Sequence, residues 1–345
     1  MKPILTINLR AIQDNYRSIQ SICTAEIAAA VKADSYGLGA EKIAPALYDV
    51  GCRKFFVATI EEGCFIASII KKCNIYLLNG FVESEISEIV AHNITPIINR
   101  LEQLDLWIKS NPDKACAIHI DTGMNRLGMT LEDFSQIKIL PKNTEFLMSH
   151  LACDGDATNS YNNKQLNKFI SATAQHPNIK RSLVASGGVF LNPEYHFDIA
   201  RVGAALYGIG ARVHTKLENP VILTAPIIQI RTCQHDEYIG YGATKLVPKF
   251  TVLATIPIGY ADGFSRFLSN NGPLYLNNKP VEIVGRISMD LTVINVTGHE
   301  VSIGDMVEVI GTNIYPDDLA LRAGTIGYEV ITSLKNGRFE RKYIN

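Results

Sequence analysis

Residues 27–78 read IAAAVKADSYGLGAEKIAPALYDVGCRKFFVATIEEGCFIASIIKKCNIYLL. Three short runs of alanine, β-branched or aromatic residues (27–31, 55–58 and 75–78) alternate with two longer mixed stretches, 40–50 and 61–71. The longer stretches have helix-like patterns. Strand, helix, strand in that order predicts parallel neighbours, because a parallel pair needs a long crossover. The alternation continues outward. Further runs stand at 96–98, 116–120, 146–149, 183–185 and 197–200, with helix-like stretches at 83–91, 101–110, 131–139 and 163–174. Eight such units predict a closed (β/α)8 barrel of the TIM type over residues 1–220. Beyond residue 220 the runs at 221–231, 251–258, 280–287, 291–296 and 306–310 are separated by turn signals instead of helices. They predict a second, mostly antiparallel β domain over 221–345. The first ten or so residues are expected to pair with that domain.

The composition excludes several classes. The chain has 345 residues, 47% apolar and 19% charged, enough to bury a sizeable core. Thirty-three basic residues against 34 acidic ones give a net charge of −1 and no pull toward nucleic acid or an anionic membrane. No segment approaches the roughly 18 apolar residues of a membrane span. Asn8 and Arg10 stand where a signal peptide has its apolar segment. Seven cysteines with no Cys-x-x-Cys pair argue against a disulfide framework or a cysteine zinc site, and fit a reducing cytosol. A cytoplasmic enzyme without a catalytic metal is the expectation.

In a (β/α)8 barrel the chemistry sits at the C-terminal strand ends. Run one ends in Lys32, run five leads into Asp121-Thr-Gly-Met-Asn-Arg126, run six into His150, run seven into Ser186-Gly-Gly, and run eight into Arg201-Val-Gly203-Ala204. Each alone has an ordinary structural reading: a solvated loop lysine, a core histidine, an ion-pair arginine, a turn glycine. Their convergence on one mouth raises the functional reading. An amine directly after Ala-Ala-Ala-Val starts in a desolvated place, which disfavours its charged form. Ser186-Gly-Gly and Gly203-Ala204 offer donors to an anion where such barrels commonly bind phosphate. A reactive lysine facing a phosphate cradle suggests pyridoxal 5′-phosphate held as a Schiff base. A full dinucleotide fingerprint, a P-loop, a His-Glu-x-x-His and a Gly-x-Ser-x-Gly are all absent from the sequence.

With these motifs in hand the chain resembles the alanine racemases, nearly end to end. The most specific piece is Ala-Val-Lys32-Ala-Asp-Ser-Tyr36-Gly. His150-Leu-Ala, Arg201-Val-Gly-Ala-Ala-Leu-Tyr-Gly, Ile-Gly-Tyr260-Ala-Asp-Gly and Gly-Arg-Ile-Ser-Met289-Asp follow in the family's order. The resemblance implies interconversion of L- and D-alanine, which supplies D-alanine for peptidoglycan. It implies a homodimer with shared active sites. Lys32 would hold the cofactor and act as one acid/base group; Tyr260, from the other subunit, would be the second. Tyr36, Ser186, Gly203, Ala204 and Tyr328 would hold the phosphate. Arg126 and the Met289 backbone N–H would hold the substrate carboxylate. Arg201 would face the pyridine nitrogen, with His150 linking it to Tyr260, and Tyr328 would keep the pocket small.

Two departures from the family pattern stand out. Many members have a carbamylated lysine two residues before the Asp-Thr-Gly-Met stretch; here that residue is His119. The expectation is that a bound anion such as chloride, or His119 itself, orients Arg126. Ser35 and Leu38 replace an alanine and a histidine usual in the attachment signature, with little effect expected. The rival readings are a racemase of serine, lysine or a broad range of amino acids, a PLP-dependent decarboxylase, and a non-catalytic PLP carrier. The carrier reading is opposed by residues 221–345 and Tyr260.

Overall fold

The computed structural model describes residues 1–111, 113–210 and 217–345. The chain forms two compact units, each assembled from separate stretches. Strand β1 (Ile4–Asn8) opens the chain and belongs to the second unit, as one strand of its sheet.

The first unit comprises Gln13–Ser35 and Gly39–Leu206. Its strands are β2 (Glu26–Ala30), β3 (Lys54–Val57), β4 (Asn74–Leu77), β5 (Ile94–Ile98), β6 (Cys116–His119), β7 (Thr144–Met148), β8 (Lys180–Ser182) and β9 (Ile199–Val202). They lie in the order β8-β7-β6-β5-β4-β3-β2-β9, every neighbour parallel. At the seam the Asp198 N–H donates to the Arg181 carbonyl at 3.0 Å, and the Ser182 hydroxyl to the Ile199 carbonyl at 2.7 Å. The barrel is therefore nearly closed, as the eight runs predict. β5 and β6 are buried throughout, which suits strands covered on both faces. Phe56, Tyr76 and Phe146 pack ring to ring inside, with centroids 4.8 Å and 5.1 Å apart.

Two placements differ from the sequence reading. β8 pairs through Lys180–Ser182, three residues before the apolar run at 183–185. Leu183 and Val184 are wholly buried, so their apolar character reflects burial beyond the ladder. The helix Leu9–Ile22 was not predicted, although buried Ile12, Tyr16 and Ile19 stand at helical spacing.

The second unit comprises Met1–Ile12, Tyr36–Leu38 and Tyr207–Asn345. Its strands are β10 (Val221–Pro226), β11 (Gln229–Thr232), β14 (Val252–Ile256), β15 (Pro273–Leu276), β16 (Lys279–Ile283), β17 (Thr292–Asn295), β18 (Met306–Ile310) and β19 (Glu340–Ile344). Strands β12 (Glu237–Ile239) and β13 (Lys245–Val247) form a separate hairpin. The nine-stranded sheet runs β11-β14-β17-β16-β15-β18-β10-β1-β19. β1 pairs parallel with β19; the other described pairs are antiparallel. The run at 221–231, read as one strand, is two. After Pro226 the chain changes neighbours: Ile227 donates to Asp305 and Ile228 to Thr255. Leu5, Ile7, Val221 and Leu223 are fully buried in alternation with less buried residues, the period of a sheet with one face in the core. Among the described residues no helix is long and apolar enough to cross a membrane.

Candidate active site

Lys32 stands one residue, Val31, beyond the largely buried strand β2. Residues Ala33, Asp34, Ser35 and Tyr36 all have positive φ, between 51° and 58°, and form one left-handed turn. Such a turn costs roughly 1–2 kcal/mol per L-residue, so surrounding bonds must enforce it. Ser35 N–H donates to the Val31 carbonyl at 2.8 Å, Gly39 N–H to the Asp34 carbonyl at 2.9 Å, and Ala40 N–H to the Asp34 carboxylate at 2.7 Å. Glu62 accepts from Ala33 N–H at 2.6 Å and from Ala58 N–H at 2.8 Å, and closes a capping box with Thr59. Burial and the Arg126 guanidinium hold the Lys32 amine below the usual lysine value; Glu62 opposes them and Arg201 adds to them.

Arg201 is buried and hydrogen-bonded through both terminal nitrogens. It donates to the Ser182 hydroxyl at 2.5 Å, the Ser149 carbonyl at 2.7 Å, the Leu183 carbonyl at 3.2 Å and His150 Nδ1 at 3.2 Å. Burial lowers its pKa to about 10, which leaves it cationic at neutral pH. Arginine cannot accept, so His150 Nδ1 is the acceptor and the His150 proton sits on Nε2. Burial and the charges of Arg201 and Arg126 keep His150 neutral, well below the ordinary histidine range.

Ser186 Oγ accepts from the backbone N–H groups of Gly203 at 3.0 Å and Ala205 at 3.2 Å. Its own proton remains to donate. Gly188 N–H donates to the Asp154 carboxylate at 3.0 Å. A Cβ on Gly187 would lie 2.7 Å from the Asp154 carbonyl oxygen, and one on Gly188 2.6 Å from Val184 Cβ, so both glycines are required by close packing. Asp154, Ala205 and Glu62 were missed by the sequence reading. The Thr59-x-x-Glu62 spacing is a capping-box signal that points to Glu62; nothing in the sequence marks Asp154.

His119 ends β6. Asn99 donates its amide N–H groups to the Leu78 and Ile97 carbonyls at 3.0 and 3.2 Å, which fixes Oδ1 as the acceptor for His119 Nδ1 at 2.9 Å. The His119 Nε2 lone pair is buried with no hydrogen-bond partner among the described residues. Burial and the charge of Arg201 lower the ring's pKa to about 3. Arg126 itself is exposed, on the loop that Asp121 organises by accepting from Gly123 and Asn125 N–H.

In the sheet unit, Tyr36 packs against Tyr207 and Tyr328, with ring centroids 4.9 Å and 6.2 Å apart. Tyr260 and Met289 lie side by side. Tyr260 N–H donates to the Ser288 carbonyl at 3.1 Å and Ala261 N–H to the Met289 carbonyl at 3.0 Å. Gly259 permits this, because a Cβ there would lie 2.3 Å from the Ser288 oxygen. Buried Asp262 anchors the turn through Arg338, at 2.8 and 2.9 Å. The side chains of Tyr260 and Met289 are 44% and 53% exposed, unusual for neighbouring large groups and available to another molecule.

A nearly closed barrel with a strand-end lysine, a neutral histidine on a buried arginine and a glycine-lined turn, joined to an antiparallel sheet, defines the barrel class of lysine-based enzymes. Residues 7–211 match the family model described as alanine racemase, N-terminal domain, and residues 221–343 the alanine racemase C-terminal domain. The chain is 44% identical over 353 residues to the alanine racemase of Rickettsia canadensis, covering 98% of each. Among solved structures it is similar to the alanine racemase of Bartonella henselae with covalently bound pyridoxal phosphate (TM-score 0.94, 38% identity, 100% of both chains). It is also similar to the biosynthetic alanine racemase of Pseudomonas aeruginosa (TM-score 0.93, 28% identity, 100% of this chain and 99% of that one). The chain belongs to the alanine racemase family.

Proposed function

We propose that the protein interconverts L- and D-alanine in the cytoplasm, using pyridoxal 5′-phosphate, as a homodimer with shared sites. The residues fit that cofactor. The Lys32 amine is held toward its neutral, nucleophilic form. The Ser186 hydroxyl has a proton to donate, and the glycines at 187 and 188 keep their turn free of side chains. When bound, the cofactor supplies an electron-withdrawing ring that stabilises negative charge left at the substrate Cα.

The chain's own residues divide the remaining work. Lys32 attaches the cofactor and exchanges a proton on one face of Cα. Tyr260 of the partner subunit serves the opposite face, since one base cannot readily reach both. Ser186, Gly203, Ala204, Tyr36 and Tyr328 hold the phosphate. Arg201, which can only donate, would face the pyridine nitrogen and leave it unprotonated, which would moderate the ring's electron demand. His150 accepts from Arg201 through Nδ1, and its Nε2 proton would serve the oxygen of the partner subunit's Tyr260. Arg126 and the Met289 N–H of the partner subunit bind the carboxylate. Tyr328 limits the side-chain space to a methyl group.

The lysine after β2 in a nearly closed barrel, with the Arg201–His150 pair and the Ser186 turn at the strand ends, carries the proposal. Its test is incubation of the holoenzyme with L-alanine in D2O, following D-alanine and α-deuteration together. Inversion with deuterium uptake is expected. Exchange without inversion would remove Tyr260 from its role; neither would exclude alanine and turn the search to serine, lysine or decarboxylation.

A further inference from the structure

We infer that Cys64, Glu88 and His92 form a binding site for a soft divalent cation of the zinc class on the outer face of the barrel. Cys64 lies on the helix Ile60–Ile69, which follows β3. Glu88 lies on the helix Ile86–Ala91, which follows β4, and His92 is that helix's C-cap residue. The sulfur, carboxylate and imidazole ligand atoms all lie within 4.8 Å of one another. Cys64 Sγ donates to Glu88 Oε1 at 3.4 Å.

The geometry suits a metal. Ligand atoms around a tetrahedral zinc ion are roughly 3.3–3.8 Å apart, given bonds of about 2.0–2.3 Å. Small rotamer changes of Glu88 and His92, both exposed, close the remaining gap. Glu88 and His92 stand four apart, on one helical face. Cys64 reaches them from the neighbouring helix, half-buried, so the thiol is the fixed member and the other two swing onto it. One thiolate, one imidazole and one carboxylate select zinc-like ions over magnesium or calcium, which prefer all-oxygen sets. Three protein ligands leave the fourth position to water.

Without a metal the thiol is protonated: burial and Glu88 push its pKa up to about 11. On binding, the S–H bond breaks, sulfur gives its electron pair to the ion, and the proton leaves to buffer. None of the three residues belongs to the proposed racemisation machinery, so racemase activity is expected to persist whether or not the site is filled.

The test uses the holoenzyme with zinc chloride alone as probe. Alkylation of Cys64 by iodoacetamide is followed by peptide mass spectrometry, with the other six cysteines as internal controls. Zinc is expected to slow Cys64 alkylation about tenfold at ten times its Kd. Magnesium is expected to leave the rate unchanged. His92→Ala and Glu88→Gln, both at exposed positions, are expected to abolish most of the protection while retaining racemase activity. Absence of protection in the wild type would overturn the site. Equal protection in His92→Ala, or by magnesium, would overturn it too.

Discussion

Lys32 is the residue on which the proposed chemistry turns, and its replacement separates attachment from fold. Lys32→Ala is expected to lose the covalent cofactor absorbance and all measurable racemisation while keeping its unfolding transition. Retained activity in this variant would end the two-base scheme. His119 answers the departure noticed in the sequence. With Nδ1 committed to Asn99, Nε2 is a neutral acceptor in reach of the Arg126 field. The expectation that His119 itself orients Arg126 dispenses with a bound anion. The KM for alanine is therefore expected to be flat across chloride concentrations at constant ionic strength, and His119→Phe to raise KM more than it lowers kcat. The same burial makes a stability prediction. An unfolded histidine takes a proton near pH 6.5, but folded His119 does so only near 3. Its stabilising effect is thus complete above pH 6.5 and is lost as pH falls toward 3. The slope is about 1.4 kcal/mol per pH unit. Denaturant unfolding at pH 7.5 and 5.0 should show a smaller difference for His119→Gln than for the wild type.

At the scale of elements, the polar residues at the barrel mouth were legible because each follows an apolar run, and the strand end is where this fold places chemistry. The turn after Lys32 was not legible. Four non-glycine residues in the left-handed region leave no glycine signal, and part of what enforces them is Glu62, a residue 29 positions from Ala33. Glu62→Gln keeps much of the cap but removes the charge that favours the Lys32 ammonium. The pH profile of cofactor capture by the apoenzyme is expected to shift toward lower pH. Identical profiles would show that this carboxylate does not tune the amine. The 183–185 run illustrates the opposite failure: burial without pairing looks like a strand to any hydrophobic pattern.

At the scale of the whole molecule, the half-exposed pair Tyr260 and Met289 is where the proposed homodimer is tested. Mixing inactive Lys32→Ala with inactive Tyr260→Phe should restore activity, since each mixed dimer then contains one intact site. A mixture as inactive as its parents would place both residues in the same subunit's site. The sheet carries a different consequence. β1, the first strand in the sequence, lies between β10 and β19, the last. On the ribosome the first strand made must therefore wait for the last. Translation arrested before Glu340 leaves all eight barrel strands synthesised and β1 with one edge bare. Proteolysis of such stalled nascent chains should spare the barrel and cut near β1, and the protection of β1 should arrive only once β19 has been made.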